Sequence, residues 1–188
     1  MVPEGLVRAL DGFEAVLAAV PPDRWLSPSP CEGWSAADVA GHVIAGLMAV
    51  RARAAGRPLP ESEPDRREAA GEDPAATWRA VRGDMIAALT PEALARPVEL
   101  ALGVEVTLNE WLRQYPLELL VHTWDLGRAT GQPVVLDPDL VGPALETAGR
   151  FAAQGRAAGM LGPERAVPDG ADDQARLLAL FGRDPAWG

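Results

Sequence analysis

The sequence predicts an all-α protein: a four-helix bundle core with one or two additional C-terminal helices, in a single domain over residues 1–188. Three observations predict it. Apolar residues recur three or four positions apart over long stretches, as one face of a helix requires. Proline and glycine cluster between those stretches and punctuate them. Only one short segment alternates with a period of two.

The first helix is expected from about Pro3 to Val20, with Leu6, Leu10, Phe13, Val16, Leu17 and Val20 on its apolar face. Pro21-Pro22 stops it, because proline cannot donate and clashes with the preceding turn. The loop PPDRWLSPSPCEGW follows, and its two tryptophans, Trp25 and Trp34, are expected to fold back onto the body of the domain. Ser35 opens the second helix, and Asp38 three residues on resembles the second half of a capping box. Asp38 also sets negative charge in the first turn, where the helix dipole favours it. That helix runs from Ala36 to about Ala55 and ends near Gly56 and Pro58.

Residues 57 to 72, RPLPESEPDRREAAGE, are charged and proline-rich and read as a mobile surface connection. Asp73-Pro74 is an N-cap and first-position pair for a third helix reaching about Leu89, with Trp78, Val81, Met85 and Leu89 as its stripe. Thr90-Pro91-Glu92 suggests a short helical turn. PVELALGVEVTL alternates around a glycine and suggests an extended, hairpin-like piece. A fourth helix is expected from Leu108 to Thr130, stopped by Gly131 and Pro133. Asp137-Pro138 caps a fifth reaching about Met160, and DDQARLLALFG makes a last short helix closed by Gly182.

Composition narrows the function classes. A formal net charge of −10 argues against electrostatic capture of nucleic acid or of an anionic membrane. No apolar run approaches the roughly 18 residues that span a bilayer. The N-terminus shows no basic segment followed by an apolar core, so a cytoplasmic location is the default expectation. The lone Cys31 rules out an internal disulfide framework and any cysteine-rich zinc module. Exposed apolar positions on several helices make a homodimer plausible.

The chain has only two histidines, and both fall in the middle of expected helices. On the fourth helix Trp111, Tyr115, Glu118, His122, Asp125 and Ala129 share a stripe. Glu118 and His122 are four apart, so they project from neighbouring turns of one face. That spacing suits two ligands of one ion, and equally an i,i+4 ion pair. A third ligand must come from another helix, and His42 is the one histidine left. Gly41 and Gly46 beside it remove side-chain bulk, leaving room for an ion or substrate. Two imidazoles and a carboxylate with open positions suit Zn²⁺ or Ni²⁺ foremost, and also Fe²⁺ or Mn²⁺.

Asp125, one turn beyond His122, is placed to orient its free ring nitrogen, or else to pair with Arg128 or face solvent. Asp38 is one turn before His42, although its capping role already explains it. Cys31 is a thiol near the site or a small packing residue of the loop. Trp34 and Trp124 are explained by packing of loop against helix. Arg128 is explained by the helix dipole.

Two segments, SPCEGWSAADVAGHV (29–43) and ELLVHTWDLGRATGQ (118–132), resemble the signatures of the DinB-like metal-binding proteins. They are most similar to the actinobacterial branch related to the N-terminal domain of mycothiol-dependent maleylpyruvate isomerase. The resemblance implies a DinB-like four-helix bundle with a divalent metal near one end, held by His42, Glu118 and His122. It also implies open coordination positions for water or a low-molecular-weight thiol of the mycothiol type. A metal favours thiolate over thiol, and a thiolate adding to an electrophilic carbon drives S-transfer or cis–trans isomerisation.

The expected function is therefore a metal-dependent thiol transferase or thiol-assisted isomerase acting on a small electrophile. The alternative is a non-catalytic metal-binding sensor or stress-response module, and a hydrolase using metal-bound water is a further reading. Two features depart from the family pattern. The isomerase has a second, C-terminal domain contributing to its active site, for which this chain has no room. Pro116 inside the fourth helix should also kink it and free the carbonyl of Leu112, or mark a different helix start.

Overall fold

The computed structural model describes the chain except for residues 63, 100–103, 158, 160, 186 and 188. The first helix, α1 (Glu4–Ala18), buries Leu6, Leu10, Phe13 and Leu17, the face that the spacing predicts. The proline-rich loop after it is held by its own backbone. The Ala36 and Ala37 amides donate to the carbonyls of Ser27 and Trp25, both at 2.9 Å. The turn from Cys31 to Trp34 closes at 3.0 Å, with Gly33 at φ +76° in the third position, where a type II turn needs a positive φ. Trp25 and Trp34 pack against the core as expected.

Helix α2 (Ala36–Ala54) starts with the capping box: the Ser35 hydroxyl accepts from the Asp38 amide, and the Asp38 carboxylate accepts from the Ser35 amide at 2.8 Å. The segment read as a mobile connection contains a further helix, α3 (Arg66–Ala70), capped by Asp65. It lies against α2 with Ala69 and Ala70 buried. Five residues are too few to show a period of 3.6 among prolines and charges, so the helix left no pattern to read. Gly41 lets α3 in, since a Cβ there would sit 1.7 Å from the carbonyl oxygen of Arg66.

Helix α4 (Pro74–Ala88) begins at the Asp73 cap and buries Trp78 and Met85. The short α5 (Pro91–Leu94) follows. Strands β1 (Pro97–Glu99) and β2 (Glu105–Thr107) then pair antiparallel, with Val98 opposite Val106. The turn of the expected hairpin lies outside the described residues. The expected fourth helix is two helices: α6 (Leu108–Gln114), and α7 (Pro116–Ala129) with Pro116 as its first residue. Proline is tolerated at that position because its missing donor is an orphan there anyway.

Helix α8 (Pro138–Ala157) stops short of Met160, which lies outside the described residues. Helix α9 (Asp173–Leu180) comes last. No described helix is long and apolar enough to cross a membrane.

Helices α1, α2, α4 and α7 form the four-helix core, with α1 against α7 and α4, and α2 against α4 and α7. One apolar cluster fills that bundle; Phe13 and Trp78 meet in it at 4.7 Å between ring centroids. A second cluster joins α7 to α8 and α9 through Leu120, Val121, Trp124, Leu177 and Leu178. Helix α7 is thus packed on both sides. Only Glu118 and Arg128 along it are not buried.

An ionic tie links α1 and α4 above Trp78. The carboxylate of Glu14 accepts from the Trp78 indole at 3.1 Å and from Arg82, which also reaches Asp11. The hydrogen bond from Arg82, against a smaller opposing effect of burial, holds the Glu14 carboxyl below its ordinary 4.5. A depressed carboxylate stabilises the fold above its unfolded pKa, and that stability is lost as pH falls through the folded one. Glu14→Gln should therefore lower stability by about 1 kcal/mol at pH 7. The gap to the parent should narrow as pH falls below 4.5, as read from denaturant midpoints at pH 7 and through the acid range. A gap that does not narrow as the pH falls would contradict this.

Candidate metal centre

Helix α2 contributes His42 and helix α7 contributes Glu118, His122 and Asp125. The capping box starts α2 so that His42 lies about two turns in, on the side facing α7. The break at Pro116 restarts the helix two residues before Glu118. The Oε1 of Glu118 lies 2.8 Å from His42 Nε2 and 3.1 Å from His122 Nε2. The three ligand-capable atoms lie within 4.8 Å of one another. The imidazoles meet edge to face, with centroids 4.9 Å apart. Geometry thus brings together all three residues singled out by sequence.

Behind His122 lies a fully buried carboxylate. Asp125 is 0% exposed, and its Oδ2 is 3.0 Å from His122 Nδ1. Of the readings open for Asp125, the orienting one matches its place. It pairs not with Arg128 but with Arg183, which grips both carboxylate oxygens, Nε to Oδ1 at 3.1 Å and Nη2 to Oδ2 at 2.7 Å. Arg128 lies over Trp124 and donates to the Trp187 carbonyl. The buried Cys31 thiol donates to Asp125 Oδ2 at 3.1 Å and accepts from Arg183 Nη2 at 3.1 Å. Cys31 thus groups with His122 and Asp125, apart from His42 and Glu118. Asp38 stays with its cap and Arg67, and does not reach His42.

Charge follows this layout. Burial pushes the Glu118 carboxyl up, but the charge on His122 and hydrogen bonds from both imidazoles outweigh it and hold Glu118 well below the carboxylate range. Burial pushes His122 down, yet Glu118, Asp125 and Cys31 together raise it well above an ordinary imidazole. Asp125 is lowered in spite of burial by His122 and Arg183. Arg183 is raised by Asp125 against the effect of its own burial.

Trp34 does more than pack the loop. Its ring lies 5.0 Å from His42 and stacks on His122 at 6.1 Å and 15°. Arg66 of α3 lies over the same ring, with the guanidinium 3.9 Å from its centroid. The space expected beside Gly41 is filled, and that beside Gly46 is narrowed by a side chain but not closed. The backbone of α3 occupies the first, and a Cβ on Gly46 would meet the Tyr115 hydroxyl at 2.4 Å. Gly46 nonetheless borders open volume: a cavity of about 630 Å³ lined by His42, Gly46, Glu118, Arg53, Trp111, Leu59 and Leu117 among others. Arg53 stands over Trp111 at 4.7 Å.

Arg183 was beyond sequence reasoning. Its one local signal is the glycine stop at Gly182, which says where α9 ends and nothing about what the next side chain meets.

Residues 6–127 match the family model described as the mycothiol maleylpyruvate isomerase N-terminal domain. Proteins of two strains of Mycobacterium tuberculosis, both described as uncharacterised, are 37% identical over 133 residues, spanning 71% of this chain and 69% of theirs. Among solved structures, the crystal structure of the mycothiol-dependent maleylpyruvate isomerase superposes with a TM-score of 0.62 at 21% identity, over 81% of this chain and 71% of that one. A histidine-to-alanine mutant of that enzyme gives 0.57 at 22% identity over the same shares. At such identity these structures speak for the fold, which is the all-α, DinB-like one expected.

Proposed function

Because this chain belongs to the mycothiol maleylpyruvate isomerase N-terminal domain family, we propose that it is a divalent-metal-dependent thiol enzyme, performing S-transfer or thiol-assisted isomerisation on a small electrophile. The observation that carries this reading is the opening of the His42–Glu118–His122 group onto the cavity. His42 and Glu118 line it, while His122 is anchored behind them by Asp125. A storage or sensor site closed by four protein ligands would have no such opening.

The donor set fits a divalent ion. Ligand atoms about 2.0–2.1 Å from one tetrahedral ion stand roughly 3.3 Å apart, close to the 2.8 and 3.1 Å found around Glu118 Oε1. Asp125 on Nδ1 leaves Nε2 of His122 as the coordinating nitrogen, the usual carboxylate–histidine arrangement. His42, Glu118 and His122 would hold the ion, Zn²⁺ or Ni²⁺ foremost. When bound, it supplies Lewis acidity that makes the thiolate the populated form of a thiol near neutral pH.

The chain's own residues then bind and orient. The cavity has the size of ordinary small-molecule sites. Leu59 and Leu117 give it an apolar wall, and Arg53 and Trp111 present a cation and a flat face. For isomerisation, an S–C bond forms as the alkene π pair moves to an electron-withdrawing neighbour. Rotation follows, and the same S–C bond breaks to return the thiolate, so no redox partner is required. For transfer, the S–C bond stays and a leaving group departs with its electron pair.

Purified protein is expected to carry about one divalent ion per chain by elemental analysis. With zinc- or nickel-loaded protein, a panel of low-molecular-weight thiols against activated alkenes and alkyl halides should give turnover only when both metal and thiol are present. If no thiol supports turnover and none binds the loaded protein, the enzyme reading fails.

A further inference from the structure

Arg183 reaches the metal centre from outside the residues that define the family match. We propose that Arg183 is a positioning residue: its two-point grip on Asp125 fixes the carboxylate that aims His122 Nε2 at the metal position. The proposal rests on the metal-centre reading above and extends it to the C-terminal segment of the chain.

A fully buried carboxylate is costly unless its charge is met and its lone pairs are used. Asp125 has His122 on one oxygen and Cys31 beside it. A thiol is a weak donor, and His122 is a neutral ring when it ligates a metal, so among the described residues Arg183 is the permanent positive charge fixed on this carboxylate. Its Nε and Nη2 take one oxygen each, the planar fork geometry that sets the carboxylate's rotation as well as its charge. Since Oδ2 is shared between Arg183 Nη2 and His122 Nδ1, rotation of the carboxylate is rotation of the imidazole's anchor.

The arginine is itself held in place. After α9 the chain makes a Schellman turn, with Gly182 N–H donating to Ala179 and Arg183 N–H to Leu178, both at 2.9 Å. Gly182 sits at φ +77°, the conformation this turn requires. Arg183 Nη1 donates to the Phe181 carbonyl at 3.0 Å. Leu177 and Leu178 seat α9 in the cluster shared with α7, beneath Trp124 and Val121. The end of the chain is thereby coupled to the ligand side of α7.

The test is zinc affinity of the full, tag-free chain by chelator competition, with the visible spectrum of the Co²⁺ form as a reporter of ligand geometry. Arg183→Met should keep the helical circular dichroism, weaken zinc binding by roughly 10–100-fold and shift the Co²⁺ bands. Arg183→Lys, which keeps the charge without the fork, should fall between. In an Asp125→Asn background, Arg183→Met should change affinity by less than about twofold, because its route to the metal is already cut. Unchanged affinity in folded Arg183→Met, or full additivity with Asp125→Asn, overturns the proposal. If Arg183→Met does not fold, unchanged affinity in Arg183→Lys overturns it instead. A parent protein that binds no zinc overturns the metal-centre reading itself, a result read from a separate arm.

Discussion

Gly41→Ala is expected to lower the stability of this protein by about 3 kcal/mol or more, the upper end of ordinary overpacking. The added Cβ would stand 1.7 Å from the carbonyl oxygen of Arg66, closer than any non-bonded contact allows. That oxygen is backbone, so no rotamer change relieves the clash. Helix α3 as a whole must lift from α2 and expose Ala69 and Ala70, which are 7% and 1% exposed. The alanine gains a little helix propensity within α2, up to about 1 kcal/mol, which is too small to offset the loss.

For a chain of this size the expected fall in melting midpoint is roughly 6–12 °C. Lifting α3 also withdraws Arg66 from the face of Trp34, the ring lying against His42 and His122. The fluorescence of the tryptophans should therefore change along with stability. A midpoint within two degrees of the parent would mean that α3 does not need this close approach.

Gly41 also shows where local pattern stops being informative. Beside His42 in the sequence it read as space for an ion or substrate, because a missing side chain and an intended void look alike in one dimension. The space is taken by a five-residue helix whose own sequence, RREAA amid prolines and charges, is too short to show a period. Elements with strong chemical punctuation were legible. The Ser35–Asp38 box and the Asp73-Pro74 pair mark the starts of α2 and α4 to the residue.

Pro116 signalled a break, and its energetics resolved as a new helix start rather than a kink, since the first helical position is where a missing donor does no harm. At the site, the spacing of Glu118, His122 and Asp125 was readable because one helix carries all three. The pairing of Glu118 with His42 crosses between helices; elimination among two histidines pointed to it, and the resemblance of both motifs supported it. Arg183 was out of reach, since a long-range charge pair leaves no periodic trace at either end.

Replacing His122 with alanine is expected to remove bound metal altogether, and comparison with His42→Ala and Glu118→Gln separates a metal centre from an ion pair. Had His122 and Glu118 met only as an i,i+4 ion pair, the contact would support the helix and hold no metal. The parent would then contain no metal, and each variant would differ from it in stability alone. As ligands, the three should each reduce affinity by more than the roughly 10–100-fold that loss of an outer hydrogen-bond partner costs.

The order among them follows from burial. The His122 side chain is 8% exposed and tied at both ring nitrogens, so water cannot take its place in the site without stranding Asp125. The His42 side chain is 25% exposed and borders the cavity, where water can substitute for it. His42→Ala should accordingly retain some weak metal binding that His122→Ala lacks. Glu118→Gln keeps the shape and one acceptor oxygen while removing the charge, and its loss should lie between the two. Elemental analysis after dialysis, followed by zinc titration of the three variants, reads all of this. Equal metal content in the parent and in all three variants would show that these residues do not hold it.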